Sequence, residues 1–252
     1  MGMLRVPAFI GIVAWLAHAG SAAAGAWTRA PDTSFTAQST QFFTTELTGD
    51  DDLPFRKIIA SSYIEYGLYE SVTIGGKLDY AKRADGAEES FASIFVRSRL
   101  WQADNDVLSV EIGGGYPVLD ALAAETSARD VTPDIRIGFA YGRGLPWDAG
   151  AWAEAAITFR KRLRSPADEV KLDLTLGYCP TDEIVLIGQM FGTLGLRNEG
   201  PFGANYDALK FSLSAGYRVT ETRTLLLVVA QDVLGRNFDL GTEFGFTIWN
   251  TF

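Results

Sequence analysis

Phe244-Gly245-Phe246-Thr247-Ile248-Trp249-Asn250-Thr251-Phe252 closes the chain. Read in steps of two, it sets Phe244, Phe246, Ile248, Asn250 and Phe252 on one face. Gly245, Thr247, Trp249 and Thr251 take the other. Side chains alternate across a β-strand, so this is a strand with one apolar face, interrupted at Asn250. The reading ends inside that strand, on an aromatic residue.

The same beat recurs upstream. Leu209, Phe211, Leu213, Ala215 and Tyr217 alternate with Lys210, Ser212, Ser214 and Gly216. Val170, Leu172, Leu174, Leu176 and Tyr178 alternate with Lys171, Asp173, Thr175 and Gly177, and Val72, Ile74, Leu78 and Tyr80 with Thr73, Gly75, Lys77 and Asp79. Followed along the chain, the pattern predicts about twelve strands. They cover 33–46, 56–68, 71–82, 89–102, 105–116, 132–143, 148–161, 168–179, 183–195, 205–218, 222–233 and 240–252. Segment 222–233 has no clear inner face, because Thr224, Leu226, Val228 and Ala230 are nearly as apolar as Leu225, Leu227 and Val229. Pro54, Pro117, Pro133, Pro146, Pro166, Pro180 and Pro201 fall at segment ends or between segments. That suits strands, whose ladders a proline would break.

The connections alternate in length. Short ones lie at Tyr69-Glu70, Ala103-Asp104, Pro180-Thr181-Asp182 and Val219-Thr220-Glu221. Longer polar ones lie near Gly49–Pro54, Arg83–Glu88, Leu119–Val131, Arg162–Pro166 and Arg197–Gly203. Strict alternation would place all short turns at one end. A weak repeat marks that end: Glu65–Val72, Gly177–Ile184 and Ala215–Thr222 each carry a Tyr on the apolar face just before a short turn.

Composition narrows the class. The 252 residues suffice for one large all-β domain, and 47% are hydrophobic, too many for a disordered chain. The net charge of -9 argues against a nucleic-acid partner. Cys179 is the single cysteine, so an internal disulfide is impossible, and we read it as incidental. At the start, Arg5, an apolar run from Val6 to Ala17 and small residues from Ala19 to Ala26 read as a Sec-type signal peptide, residues 1–24. Cleavage is expected after Ala24 or Ala26. Beyond it no stretch approaches the roughly 20 apolar residues of a membrane helix.

Alternation alone also fits a soluble sandwich or barrel with its apolar face turned inward. The export signal, the number of long strands without cysteines and the terminal strand tip the balance. On Phe244, Phe246, Ile248 and Phe252, the chain resembles the Gram-negative outer-membrane β-barrel superfamily. Its members finish on such a strand, which the barrel assembly machinery reads; Asn250 departs from the pattern. A looser similarity, on Gly25-Ala26-Trp27-Thr28 and the Tyr66–Glu70 hairpin, is to small transporter-like barrels of aromatic-degradation clusters. The resemblance implies residues 25–252 forming a single transmembrane antiparallel up-and-down β-barrel in the outer membrane. Its surroundings would be lipid and lipopolysaccharide.

Enzymatic members of that superfamily pair His with Ser or Asp. The only histidine here is His18, within the leader, so such chemistry is not expected. Neither a nucleotide loop nor a Cys/His metal cluster occurs, and no cofactor or metal is expected. An acid pair such as Glu65 with Asp79 is more simply structural. If the apolar face meets lipid, the other face lines a lumen. It then carries Lys57, Glu65, Lys77, Asp79, Arg97, Arg99, Glu111, Asp134, Arg136, Glu154, Arg160, Lys171, Asp173, Lys210 and Glu243. Phe95, Arg97, Arg99 and Trp101 form an aromatic-basic-basic-aromatic row on one face, expected to narrow the lumen for anionic or aromatic solutes. The alternative is that lumen acids neutralise both arginines. The functional expectation is a narrow passive channel for small solutes, against a closed barrel with a structural, adhesive or partner-binding role. Only about ten residues precede the first strand, so no separate plug domain is expected.

Overall fold

The computed structural model describes residues 25–45, 56–118, 133–146, 150–163, 167–197, 206–236 and 240–252. The predicted leader and the centres of several predicted loops, Leu119–Val131 among them, lie outside these. Twelve strands form: β1 (Ser34–Thr45), β2 (Arg56–Tyr69), β3 (Val72–Arg83), β4 (Glu88–Ala103), β5 (Asp106–Pro117) and β6 (Asp134–Leu145). They continue as β7 (Ala151–Arg162), β8 (Glu169–Tyr178), β9 (Ile184–Gly195), β10 (Asp207–Thr220), β11 (Arg223–Arg236) and β12 (Gly241–Thr251). Every strand pairs antiparallel with its sequence neighbours, and β1 pairs with β12, closing the barrel without an edge. The closure reaches the last residue, since Phe252 N–H donates to Ser34 C=O at 2.9 Å and Ser34 N–H to Phe252 C=O at 3.0 Å.

The apolar faces point outward. Ile94 is 75% exposed, Leu213 71% and Leu227 67%, exposures that no soluble core would tolerate in a contiguous band. Charged residues turn inward, with Glu65, Arg97, Asp134, Glu169 and Asp232 all buried. Aromatic side chains ring both rims of the outer surface. Tyr66, Tyr69, Tyr141 and Tyr217 are exposed towards the short turns, and Phe42, Tyr116, Phe211 and Phe244 at the opposite end. Amphipathic rings settle where hydrocarbon meets water, so the two belts mark a membrane slab. Asn250, the odd residue of the terminal strand, belongs to a polar outer rung. It accepts from Arg223 at 2.8 Å and its amide faces Thr36 Oγ1 at 3.4 Å.

Two expectations are corrected. The loop alternation is not strict: residues 84–87 join β3 to β4 and 237–240 join β11 to β12, while β6–β7 and β8–β9 at the short-turn end use 146–150 and 179–183. The two-residue turns are three: Glu70-Ser71, Asp104-Asn105 and Glu221-Thr222. Each has a register shift in its hairpin, near Gly67/Tyr69, Arg99/Trp101 and Arg218/Thr220. The second shift breaks the predicted inner row. Arg97 opposes Glu111 and Arg99 opposes Ser109, but Trp101 opposes Leu108. Directly opposed residues share a face. Leu108 lies between the buried Val107 and Ser109, so the bulge turns Trp101 outward, 49% exposed. One extra residue moves everything beyond it to the other face, which strict period-two counting cannot register.

Candidate functional site: the plugged lumen

The residues before β1 fold into the barrel at the short-turn end. Ala26 is fully buried against Val107 and Ala140. Trp27 packs on both that group and a cluster of Trp152, Val185, Ile187 and Leu226, with Trp249 and Cys179 at its margin. The seat is shaped by glycines. A Cβ on Gly142 would come within 2.5 Å of the Trp27 ring, and one on Gly177 within 2.1 Å of the Trp152 ring. No separate plug domain was expected, and this short segment is not one, yet it occupies the mouth of the barrel through one large side chain, Trp27. The ambiguous faces of β11 are explained too. Leu226 and Ala230 point inward at 2% and 3% exposure, and Leu226 belongs to the apolar cluster on which Trp27 packs.

Ion pairs latch the segment. Arg29 Nε donates to Glu65 Oε2 at 2.5 Å, and the Arg29 N–H donates to Thr73 Oγ1 at 2.7 Å. Arg97 reaches Glu65 Oε1 at 2.7 Å and Glu111 Oε2 at 2.8 Å, and its Nη1 lies 3.4 Å from the Trp27 carbonyl oxygen. Tyr63 donates to the same Glu65 carboxylate and stacks on Phe95 with ring centroids 5.9 Å apart. Arg97 and Phe95 thus share the inner face, but the Arg97 charge is taken up by two carboxylates and is only 3% exposed. Arg99, two positions nearer the turn, donates to Gln102 Oε1 at 2.5 Å. Asp79 pairs with Lys77 at 2.9 Å and accepts from Ser61, so Glu65 and Asp79 are held by different cations and form no acid pair.

Beyond the plug a cavity of about 550 Å³ extends along the lumen. Phe35, Trp152 and Trp249 are among the residues at its plugged end. Its walls include Lys77, Arg97, Glu111, Glu154, Asp173 and Gln189, and it reaches Lys210 and Glu243. Towards the far rim stands a second charged group that the sequence singled out only in pieces. Asp134 accepts from Arg136 at 2.7 Å and from Arg160, and Arg160 also meets Glu169 at 3.3 Å. Both guanidiniums lie over the Phe91 ring, at 5.4 and 5.5 Å from its centroid. Phe91 was missed because one strand separates it from Arg136 and two from Arg160; its inward position on β4, two before Ser93 and four before Phe95, was the available signal. Across the lumen Lys210 bonds Glu243 at 2.5 Å, and Lys57 lies over Phe43 at 4.9 Å. Lys171 shares the inner face of β8 with Glu169 and Asp173, opposite Thr193 of β9 and Thr158 of β7. Among the described residues, no group of three or more His, Cys, Asp or Glu is placed to hold a metal.

Closed antiparallel pairing, the outward apolar band and its two aromatic belts leave one architecture. The chain has the fold of the Gram-negative outer-membrane β-barrels. Solved structures agree. An outer-membrane channel from Pseudomonas putida F1 superposes with a TM-score of 0.67 at 12% identity, covering 91% of this chain and 99% of that one. The NanC porin gives 0.59 at 7% identity, over 85% and 98%. The KdgM porin, in complex with disordered oligogalacturonate, gives 0.55 at 5% identity, over 87% and 99%. No protein-family model matches the chain, and no curated protein sequence does. At these identities the likeness speaks for the outer-membrane barrel fold alone.

Proposed function

We propose that this barrel is an outer-membrane channel for small solutes, favouring anionic or aromatic ones, and that the Trp27 segment restricts flow. The observation that carries it is the 550 Å³ cavity left inside the barrel, whose wall includes charged and polar side chains such as Lys77, Asp173 and Gln189. The Arg136–Phe91–Arg160 arrangement supports the solute class, since guanidinium groups pair with carboxylates and stack on rings. Arg136 is the more accessible of the two, its side chain 31% exposed against 12% for Arg160. Barrel-type channels among structures of the same fold are consistent with this reading. Outer-membrane lipid, lipopolysaccharide and the assembly machinery would be its partners. A closed barrel with a structural, adhesive or partner-binding role is favoured by a different observation, the buried ion-paired plug.

Planar-bilayer recording separates the two. The wild type should conduct weakly and Trp27→Ala more strongly. Arg136→Ala should shift selectivity towards cations, because Asp134 then faces the lumen with one cation fewer. Absence of current from both wild type and Trp27→Ala would overturn the channel reading.

A further inference from the structure

Gly25 lies against Glu154 of β7. A Cβ built on Gly25 would stand 1.8 Å from Glu154 Oε1 and 3.1 Å from Oε2. A C–C bond is about 1.5 Å, so the Gly25 backbone itself touches the carboxylate. The Ala26 N–H donates to the same group. Yet Glu154 Oε2 is buried with no hydrogen-bond partner, and among the described residues no cation lies within ion-pair distance of this carboxylate. Its neighbours Glu65 and Arg97 are committed to each other and to Arg29 and Glu111. A carboxylate oxygen held out of water with neither a hydrogen bond nor a counter-ion is costly. A cation small enough to fit where even a methyl would collide would satisfy the open oxygen and balance the charge.

We infer that Glu154 is the receptor for the amino terminus created by processing, so that removal of the leader supplies the cation that completes the plug. The inference rests on reading the chain as an exported barrel, but not on conduction. Hydrolysis of the Ala24–Gly25 bond by a signal peptidase adds one water across it. The hydroxyl stays with the Ala24 carbonyl as a carboxylate after losing its proton, and the Gly25 nitrogen takes up a proton to become an ammonium. That ammonium keeps three N–H donors beside Glu154 Oε1 and Oε2, where the uncleaved amide offered at most one and no charge. The choice of bond follows from the packing. Cleavage after Ala26 would discard the fully buried Ala26 and the N–H that Glu154 already accepts. Glu154 is a positioning residue: it holds Gly25, and through it Ala26 and Trp27, in the mouth.

The test uses protein exported from the full precursor and extracted from outer membranes. Amino-terminal sequencing should begin Gly-Ala-Trp; a start at Trp27 overturns the assignment. An aldehyde reagent selective for α-amines should label the wild type at least tenfold more slowly than the free peptide Gly-Ala-Trp-Thr-Arg-Ala. Glu154→Gln should label at least tenfold faster than wild type, with Glu154→Asp restoring most of the protection and Asp173→Asn leaving it unchanged. Trypsin cleavage after Arg29 should follow the same order. Equal labelling of wild type and Glu154→Gln, with both showing the heat-dependent gel mobility of folded barrels, overturns the proposal. If Glu154→Gln does not accumulate, Glu154→Asp against wild type and free peptide still decides it. An amine as reactive as the peptide's in wild type sinks the pairing.

Discussion

Arg97 shows how much of a side chain's role is set by residues far from it in sequence. Its place on an inward row is readable from alternation with Phe95. Its partners are not: Glu65 is 32 residues away, and Glu111 is 14 away across the β4–β5 hairpin. Because Arg97 is buried and doubly paired, we expect Arg97→Ala to lower the unfolding free energy by about 3–5 kcal/mol, the usual cost of leaving a buried carboxylate short of its counter-ion. Urea titration in lipid vesicles would check this. A loss below roughly 1 kcal/mol would mean that water already screens the site. Glu65→Gln should be milder than Glu65→Ala, since the amide oxygen still accepts from one of the two arginines and the side-chain volume is kept. The same distance in sequence hid the Phe91 arrangement, assembled from β4, β6 and β7.

Strands were the most legible elements, because alternation is a local consequence of pleat geometry and every lipid-facing position had to be apolar. Their bounds differ from the expected ones by three residues at most. Bulges were not legible: Ser98–Ala103 alternates no differently from any strand end, and the extra residue shows only in the pairing of Trp101 with Leu108. A variant retaining Trp101 as its sole tryptophan should therefore be quenched by brominated lipid, and one retaining only Trp152 should not. Equal quenching of the two would restore Trp101 to the lumen. The terminal strand makes a separate prediction. Phe252 pairs with Ser34 through both backbone groups while its ring stays 69% exposed. Deleting it should reduce outer-membrane levels several-fold and raise periplasmic degradation. Unchanged levels at low expression would show that the ring carries no assembly signal.

An even number of strands brings Gly25 and Phe252 to the same end of the barrel, the end of the two-residue turns. With Cys179→Ser as background, an impermeant thiol reagent on intact cells should label Ala123→Cys and not Thr181→Cys; the reverse pattern would invert the orientation. Chain closure, strand number and the outward apolar band were determined by the sequence itself. The strands follow from a period-two constraint that each segment satisfies locally; closure and the outward sense came from the export signal, the number of long strands and the terminal strand read together with it. The inside of the barrel was decided only by tertiary structure. Whether inward charges line open space or cancel one another depends on which strands face each other across the lumen, and no local pattern encodes that. The same holds for the plug: Ala26, Trp27 and Arg29 read as a short leader-proximal tail until Gly142, Trp152, Leu226 and Glu65, drawn from four strands, converge to bury them.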